Sequence, residues 1–306
     1  MLFTIFTPTY NRSKLLKRVY EALKKQTFKD FEWLIINDSS PDDTDEVVQT
    51  FIQEKPFFPI VYVKQEHGGK MRAISKAVDL AHGKWIMIHD DDDFMPENGL
   101  EITSKWAQIA DNYPECAELS GVKNDTKGNH IRPIIPYDFK ILSFAEKIKN
   151  GWNKDEAIFY KTEIIKKYKA PEFENEYDSH FSIPAFKMCK AGYTLLMFND
   201  VVYIGDYIEG GLSDESIDGT YLLRIFNGYT EGVKLELSLN VGIKRKIEII
   251  GKYSYIARKK GLGYFEISKI LKRNIFICFI LCIIAKLYLN CMKQRIRKNR
   301  ITEEEK

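Results

Sequence analysis

The sequence predicts an α/β protein built on a mostly parallel sheet with helices on both faces, continued by a helical C-terminal tail. Three observations carry that expectation. Short runs rich in Ile, Val, Phe and Trp alternate with segments of helical hydrophobic period over the first 90 residues, the pattern of repeated strand–helix units. Each apolar run ends in a polar cluster, and in such sheets ligands bind outside the carboxyl ends of the strands. With 306 residues, 44% of them apolar and 29% charged, the chain can bury a sizeable core and is not a disordered polymer.

Residues 2–6 form the first strand, ending at Thr7-Pro8-Thr9-Tyr10-Asn11. Leu15, Leu16, Val19 and Leu23 then share a helix face, with Asn11 the expected N-cap. Residues 33–36 are the second strand, ending at Asn37-Asp38-Ser39-Ser40, and Val47, Val48, Phe51 and Ile52 line a second helix. Residues 60–63 are the third strand, ending near His67-Gly68-Gly69-Lys70. Met71, Ile74, Val78 and Ala81 lie at i, i+3, i+7 and i+10 of a third helix, which Gly83 stops. The central strand follows, Trp85-Ile86-Met87-Ile88, and runs into Asp90-Asp91-Asp92-Asp93.

Beyond it, Leu100, Trp106 and Ile109 suit a helix, and residues 120–136 are polar enough for a loop or a strand pair. Residues 157–160 are a strand, followed by a short helix to Tyr168. Residues 171–180 form a second acidic cluster, before a helix to Lys190 that Gly192 breaks and a strand at 194–197. Residues 207–213 are a glycine-containing loop able to cover a site. Five cysteines without Cys-x-x-Cys spacing point to a reducing compartment and against a disulfide frame or zinc site. The opening residues enter a strand without a basic region or cleavage site, so no signal peptide is expected.

The Asp run is the costliest feature. Two unit charges about 5 Å apart at an effective dielectric near 20 repel by roughly 3 kcal/mol. Four carboxylates at one strand end therefore call for a cation or for water. Mg²⁺ and Mn²⁺ take one or two carboxylates together with substrate phosphate oxygens, and Asp90-x-Asp92 offers such a pair. An isolated acidic run is usually a solvated surface. Here residues 7–11, Asp38, residues 68–70 and the Asp run all fall on the same sheet edge.

In this order the motifs resemble a family 2 glycosyltransferase of the GT-A fold, with its Rossmann-like sheet, over about residues 1–215. They are Thr7-Pro8-Thr9-Tyr10-Asn11-Arg12, the stretch from Ile35 through Asp38 to Thr44, Gly68-Gly69-Lys70, and Asp90-x-Asp92-Asp93 followed by Pro96. Tyr160-Lys161-Thr162-Glu163 with Phe173-Glu174-Asn175-Glu176 is similar to a bacterial subgroup that builds capsular and other surface polysaccharides. The resemblance implies a nucleotide-binding half at 1–96 and an acceptor half at 97–215. It implies that Asp38 pairs with the nucleobase, normally uracil, in a pocket lined by Thr7, Pro8 and Tyr10. Gly69 would lie close to the nucleotide and Lys70 near its phosphates. Asp90 and Asp91 would lie beside the donor, and Asp92, assisted by Asp90, would ligate Mn²⁺ or Mg²⁺.

The implied reaction is a single inverting displacement from a nucleotide sugar, a UDP-sugar by the family's habit, onto a hydroxyl of a surface-glycan or lipid-linked acceptor. The transferred group would be a hexosyl or N-acetylhexosaminyl unit. Its base would be Asp178, taken to precede a helix directly, or Glu176, with Glu209 in reserve. The chain departs from the family at Ser39, where glycine is usual, and at Ser75 and Ala77, where Asn and Gly often stand. Those departures leave open a non-catalytic nucleotide-sugar-binding scaffold in a membrane polysaccharide assembly. A nucleotidyltransferase would want a glycine- and basic-rich phosphate loop near the N-terminus, which the sequence lacks.

The net charge of +3 conceals an asymmetry. Residues 251–306 hold 14 Lys/Arg against 4 Asp/Glu, leaving 32 against 39 for residues 1–250. That balance argues against nucleic acid as a partner and for an anionic surface facing the tail. Residues 275–285 are eleven uninterrupted apolar side chains with basic residues on both sides. A run of this length is too short for a comfortable span, and a span would send one basic group across the membrane. The expectation is a helical extension at 216–260 and a tail at 261–306 that lies on, or dips into, the cytoplasmic leaflet. Lys272, Phe276, Phe279, Ile283 and Lys286 would share one face. A homo-oligomer is compatible with the sequence and is not demanded by it.

Overall fold

The computed structural model describes residues 1–176, 178–206 and 219–304, the last helix by its backbone alone beyond Cys291. The chain divides into two compact units, Met1–Asp206 and Tyr207–Lys306.

The first unit is one eight-stranded sheet in the order β3-β2-β1-β4-β7-β5-β8-β6. Its strands are β1 (Phe3–Thr9), β2 (Phe31–Asn37), β3 (Ile60–Lys64), β4 (Trp85–Ile88), β5 (Cys116–Asn124), β6 (Phe139–Leu142), β7 (Ala157–Lys161) and β8 (Thr194–Ile204). All run one way except β7 and β6, so the sheet is mostly parallel as expected. The first four strands are joined by α1 (Ser13–Lys24), α2 (Thr44–Gln53) and α3 (Lys70–Leu80). One sheet face packs Phe3, Ile5, Trp33, Ile35 and Trp85 against Leu16, Val19, Leu23, Val48 and Phe51. The other packs Phe6, Leu34, Ile36 and Ile86 against Ile74, Ala77 and Val78 of α3. Both faces are dry, which is why these strands read as continuous apolar runs.

Several local expectations change. Asn11 is not the cap of α1: it adopts φ 56°, its N–H donates to Ser40 Oγ at 2.9 Å, and Arg12 takes the N-cap position. Residues 120–124 take the strand alternative as the end of β5, paired with β7 as far as Gly121 and with β8 to Asn124. The turn at residues 125–129, closed by an Asn124–His130 bridge, takes the loop alternative. The segment that precedes β7 also supplies β6 and a short helix, α5 (Phe144–Lys149), with a Ser143–Glu146 capping box. α4 (Gly99–Ala110), α6 (Thr162–Ile165) and α7 (Ile183–Lys190) complete the unit.

The second unit is helical: α8 (Thr220–Arg224), α9 (Phe226–Ser238), α10 (Ile243–Lys259), α11 (Tyr264–Leu271) and α12 (Ile275–Glu304). α12 crosses α10 closely at Gly251, where an added Cβ would meet Leu281 O at 2.8 Å and Ala285 Cβ at 3.3 Å. Cys278 and Cys282 face inward, whereas Phe276 is 71% exposed and Ile280, Ile284 and Leu287 more than half exposed. Lys272 does not share a face with Phe276. It terminates α11 in a left-handed conformation, and α11 and α12 meet at a bend of 104°. Among the described residues no single helix is long and apolar enough to cross a membrane.

Candidate active site

Because β3, β2, β1 and β4 are adjacent and parallel, their carboxyl ends lie side by side, and so do the polar clusters that end them. From β2, the Asp38 carboxylate is buried. It accepts from the N–H groups of Gly68 and Gly69 at 2.9 Å each, and from Gln65 Nε2 at 2.8 Å. His67 Nδ1 lies 3.0 Å from its other oxygen. Asp38 thereby holds the turn that starts α3. Gly69 sits at φ 85°, ψ 170°, a conformation open essentially to glycine alone. Ser39 follows at φ 62°, with its hydroxyl donating to Gln65 O at 2.7 Å. A left-handed residue here costs roughly 1–2 kcal/mol without glycine, and the hydroxyl bond offsets part of that.

From β1, Thr7 is fully buried and accepts from Trp33 Nε1 at 3.0 Å; the strand's alternation turns its side chain into the core. Pro8 is partly exposed next to it. Tyr10 is 46% exposed, with its ring centroid 4.5 Å from that of His67. Thr9 donates to Asp91 at 3.2 Å.

The four aspartates after β4 are not equivalent. Lys70, in the first turn of α3, reaches Asp90 at 2.5 Å. Burial alone would push the Asp90 carboxyl up, but the ammonium outweighs it and leaves the group more acidic than usual. Asp91 is buried and pushed up to about 6 by desolvation, despite Arg12 Nη1 at 3.0 Å. The same nitrogen lies 3.1 Å from Asp92. Asp93 is likewise pushed up to about 6 by burial; Lys123 meets it at 2.8 Å and Asp155 at 2.9 Å. The loop is pinned to β8 by the Phe94–Ile204 bridge and by Asp90 N–H donating to Tyr203 OH at 2.9 Å. Gly205 must be glycine, since a Cβ there would fall 1.5 Å from Asp93 Oδ1. His89 is fully buried and held neutral near pKa 4 by desolvation, with Nδ1 2.8 Å from Asp90 O, and it is not one of the three carboxylate residues that could share an ion.

Asp178 is half-buried and near enough for its charge to help keep the Lys70 ammonium protonated. Phe181 lies under that ammonium, 5.5 Å away. Asp178 does not directly precede a helix: α7 begins at Ile183. Glu176 lies two residues earlier in the same loop, after a left-handed Asn175. The loop at 207–213 and Glu209 fall outside the described residues.

The sequence model of the family described as glycosyl transferase family 2 matches residues 4–191, more than half the chain. The chain belongs to glycosyl transferase family 2. This family 2 chain is 28% identical over 186 residues to the glycosyltransferase GlyG of Streptococcus pneumoniae, covering 59% of this chain and 60% of GlyG. It spans about three fifths or less of the length of the curated relatives it matches first. Its fold is that of S. aureus TarS 1–349, solved in complex with UDP-GlcNAc. The TM-score is 0.61 at 16% identity over 85% of this chain and 73% of the other. The mannosyltransferase PcManGT from Pyrobaculum calidifontis, in complex with GDP-Man and Mn²⁺, gives 0.58 at 16% identity over 94% and 80%. At such identities the likeness establishes the GT-A architecture.

The acidic group in this family 2 chain fits a hard divalent ion. One oxygen each from Asp90, Asp92 and Asp93 lies within 4.8 Å of the others. An ion at about 2.1–2.2 Å from its ligands spaces them by roughly 3–4.4 Å, so small side-chain turns suffice. An all-carboxylate set suits Mg²⁺ or Mn²⁺. Asp90 and Asp92 are the partly exposed pair; Asp93 is sealed against Lys123. Sequence reading missed the roles of Arg12, Gln65, His67, Lys123 and Tyr203. Arg12 stood in the quoted motif, but its partners are 79 and 80 positions away.

Proposed function

We propose that the chain is a metal-dependent, inverting glycosyltransferase. It moves a sugar from a nucleotide sugar, by preference a UDP-sugar, to a hydroxyl of a surface-glycan or lipid-linked acceptor. The observation that carries the reading is the meeting of Asp38, Gly69, Lys70, Asp90 and Asp92 at one sheet edge, with Asp178 within electrostatic reach of Lys70. A bound Mn²⁺ or Mg²⁺ would neutralise the departing diphosphate, and Asp90 and Asp92 would hold it. Lys70, already on Asp90, adds a positive charge for the phosphates. Tyr10 offers a half-exposed ring for the base to stack on. Asp38 accepts a hydrogen bond from the base's imide N–H only by exchanging the Gln65 or His67 side chain for it, because its acceptor positions are otherwise filled. Asp178, or Glu176 from the same loop, removes the acceptor proton. Calorimetric titration with UDP and GDP, with and without EDTA, tests the reading in wild type and Asp92→Asn. UDP should bind only with metal and only to wild type; equal affinity in every condition would overturn it.

The helical unit supports a place at the cytoplasmic face of the membrane. Phe276, Ile280, Ile284 and Leu287 leave α12 with an exposed apolar face, and the basic residues flanking it in sequence suit anionic lipid at about 1 kcal/mol each. Full-length protein should pellet with anionic liposomes, and Ile280→Glu/Ile284→Glu should stay in the supernatant. Equal partition of the two would remove the lipid reading.

A further inference from the structure

The cations around the Asp run are held with unequal firmness. Lys123 is buried between two carboxylates, Asp93 and Asp155. Lys70 is largely covered and fixed on Asp90 by the start of α3. Arg12 is 45% exposed, and both of its contacts, to Asp91 and Asp92, come from the single nitrogen Nη1. Guanidinium pairs with carboxylates most strongly through two parallel donors, so this contact leaves much of the fork's capacity unspent.

We propose that Arg12 is a donor-binding residue that changes partners. In the ligand-free protein it neutralises Asp91 and Asp92. When a divalent ion is held at Asp92, Arg12 gives up that carboxylate, keeps Asp91 as its pivot, and turns its outer edge onto the donor's diphosphate. The inference rests on the metal reading above and follows from charge and burial. A guanidinium on Asp92 competes with a dication for the same carboxylate, and the repulsion between the two charges is relieved when it moves away. Of the three cations Arg12 is the most solvated, so its movement costs least. Asp91, buried and with only Thr9 as a further side-chain hydrogen-bond partner among the described residues, keeps one end of Arg12 in place. The planar fork matches a diphosphate.

The test is a split between two affinities of the full-length protein. Mn²⁺ binding alone is followed by the paramagnetic resonance of free Mn²⁺, and UDP binding at saturating Mn²⁺ by calorimetry, with melting temperature recorded for each variant. Arg12→Ala should bind Mn²⁺ about fivefold tighter and UDP about tenfold weaker. Arg12→Lys, which keeps the charge and loses the fork, should bind Mn²⁺ like wild type and UDP about threefold weaker. Loss of both affinities together in Arg12→Ala and Arg12→Lys would make Arg12 a scaffold residue and overturn the proposal. So would the absence of any change in either variant. Wild-type protein that binds no Mn²⁺ would overturn the proposal together with the metal reading, a result distinct from the other two.

Discussion

After β4, four carboxylates, Asp90 to Asp93, face three cations, Arg12, Lys70 and Lys123, and two of the carboxylates stay partly exposed. In the other half of the sheet, Glu118 of β5 and Glu156 meet Lys147 of α5 and Arg132, two charges against two, all buried. Ser120 donates to Glu156 at 2.5 Å, and Arg132 Nη2 reaches Phe198 O at 2.5 Å. Burial raises the Glu118 carboxyl above its usual range and raises Tyr160 beside it. Both clusters are ionic, yet one is balanced and sealed and the other is short of positive charge and open. Sealed balance is how a fold tolerates charge it does not use. A partly exposed deficit is where a cationic ligand gains most.

Substitutions should therefore act in opposite currencies at the two clusters. The largest effect is expected at the open one: replacing the true base, Asp178→Asn or Glu176→Gln, should lower turnover by about 10²–10⁴-fold. UDP affinity and melting temperature should hardly move. Normal turnover in both variants would take the base out of this loop. At the sealed cluster, Lys147→Met leaves two buried carboxylates facing one cation and should cost about 3–5 kcal/mol in denaturant unfolding. UDP affinity of the protein that remains folded should be unchanged. Stability unmoved by Lys147→Met would erase the contrast.

The smallest effect concerns Asp91, which is buried and less acidic than an ordinary carboxyl. Its folded pKa, about 6, lies above the unfolded value near 3.9. Between those limits the folded chain binds more protons than the unfolded one, so this group's contribution to stability falls as pH rises from 4 to 6. Asp91→Asn, which does not titrate, should gain on wild type by about 2 kcal/mol across that window and run parallel above it. A constant difference from pH 4 to 7 would mean that Arg12 and Thr9 fully compensate the burial.

Much of the site-bearing half was legible in the chain. β1 to β4 and their helices are buried on both sheet faces, so their apolar runs and 3.6-residue spacing are continuous. A parallel sheet then leaves only one edge for the polar ends. Ser39 is a gentler case: the glycine usual at its place marked a special backbone, and φ 62° with a hydroxyl bond explains how serine fits.

What the sequence determined by itself is the order of strands and helices over the first 90 residues, the family, and the gathering of Asp38, Lys70 and the Asp run at one edge. Each rests on contacts between near neighbours in the chain or on a periodicity that burial imposes. Tertiary structure decided between loop and strand at residues 120–124, since Ser120 and Lys123 enter the interior only because Glu156, Asp93 and Asp155 wait there. It also turned Thr7 into the core, broke the tail at Lys272, and set Arg12 on carboxylates about 80 residues away. A buried charge is written in the sequence as one polar letter among others, and whether it is paid for by a partner depends on which distant segment the fold brings beside it.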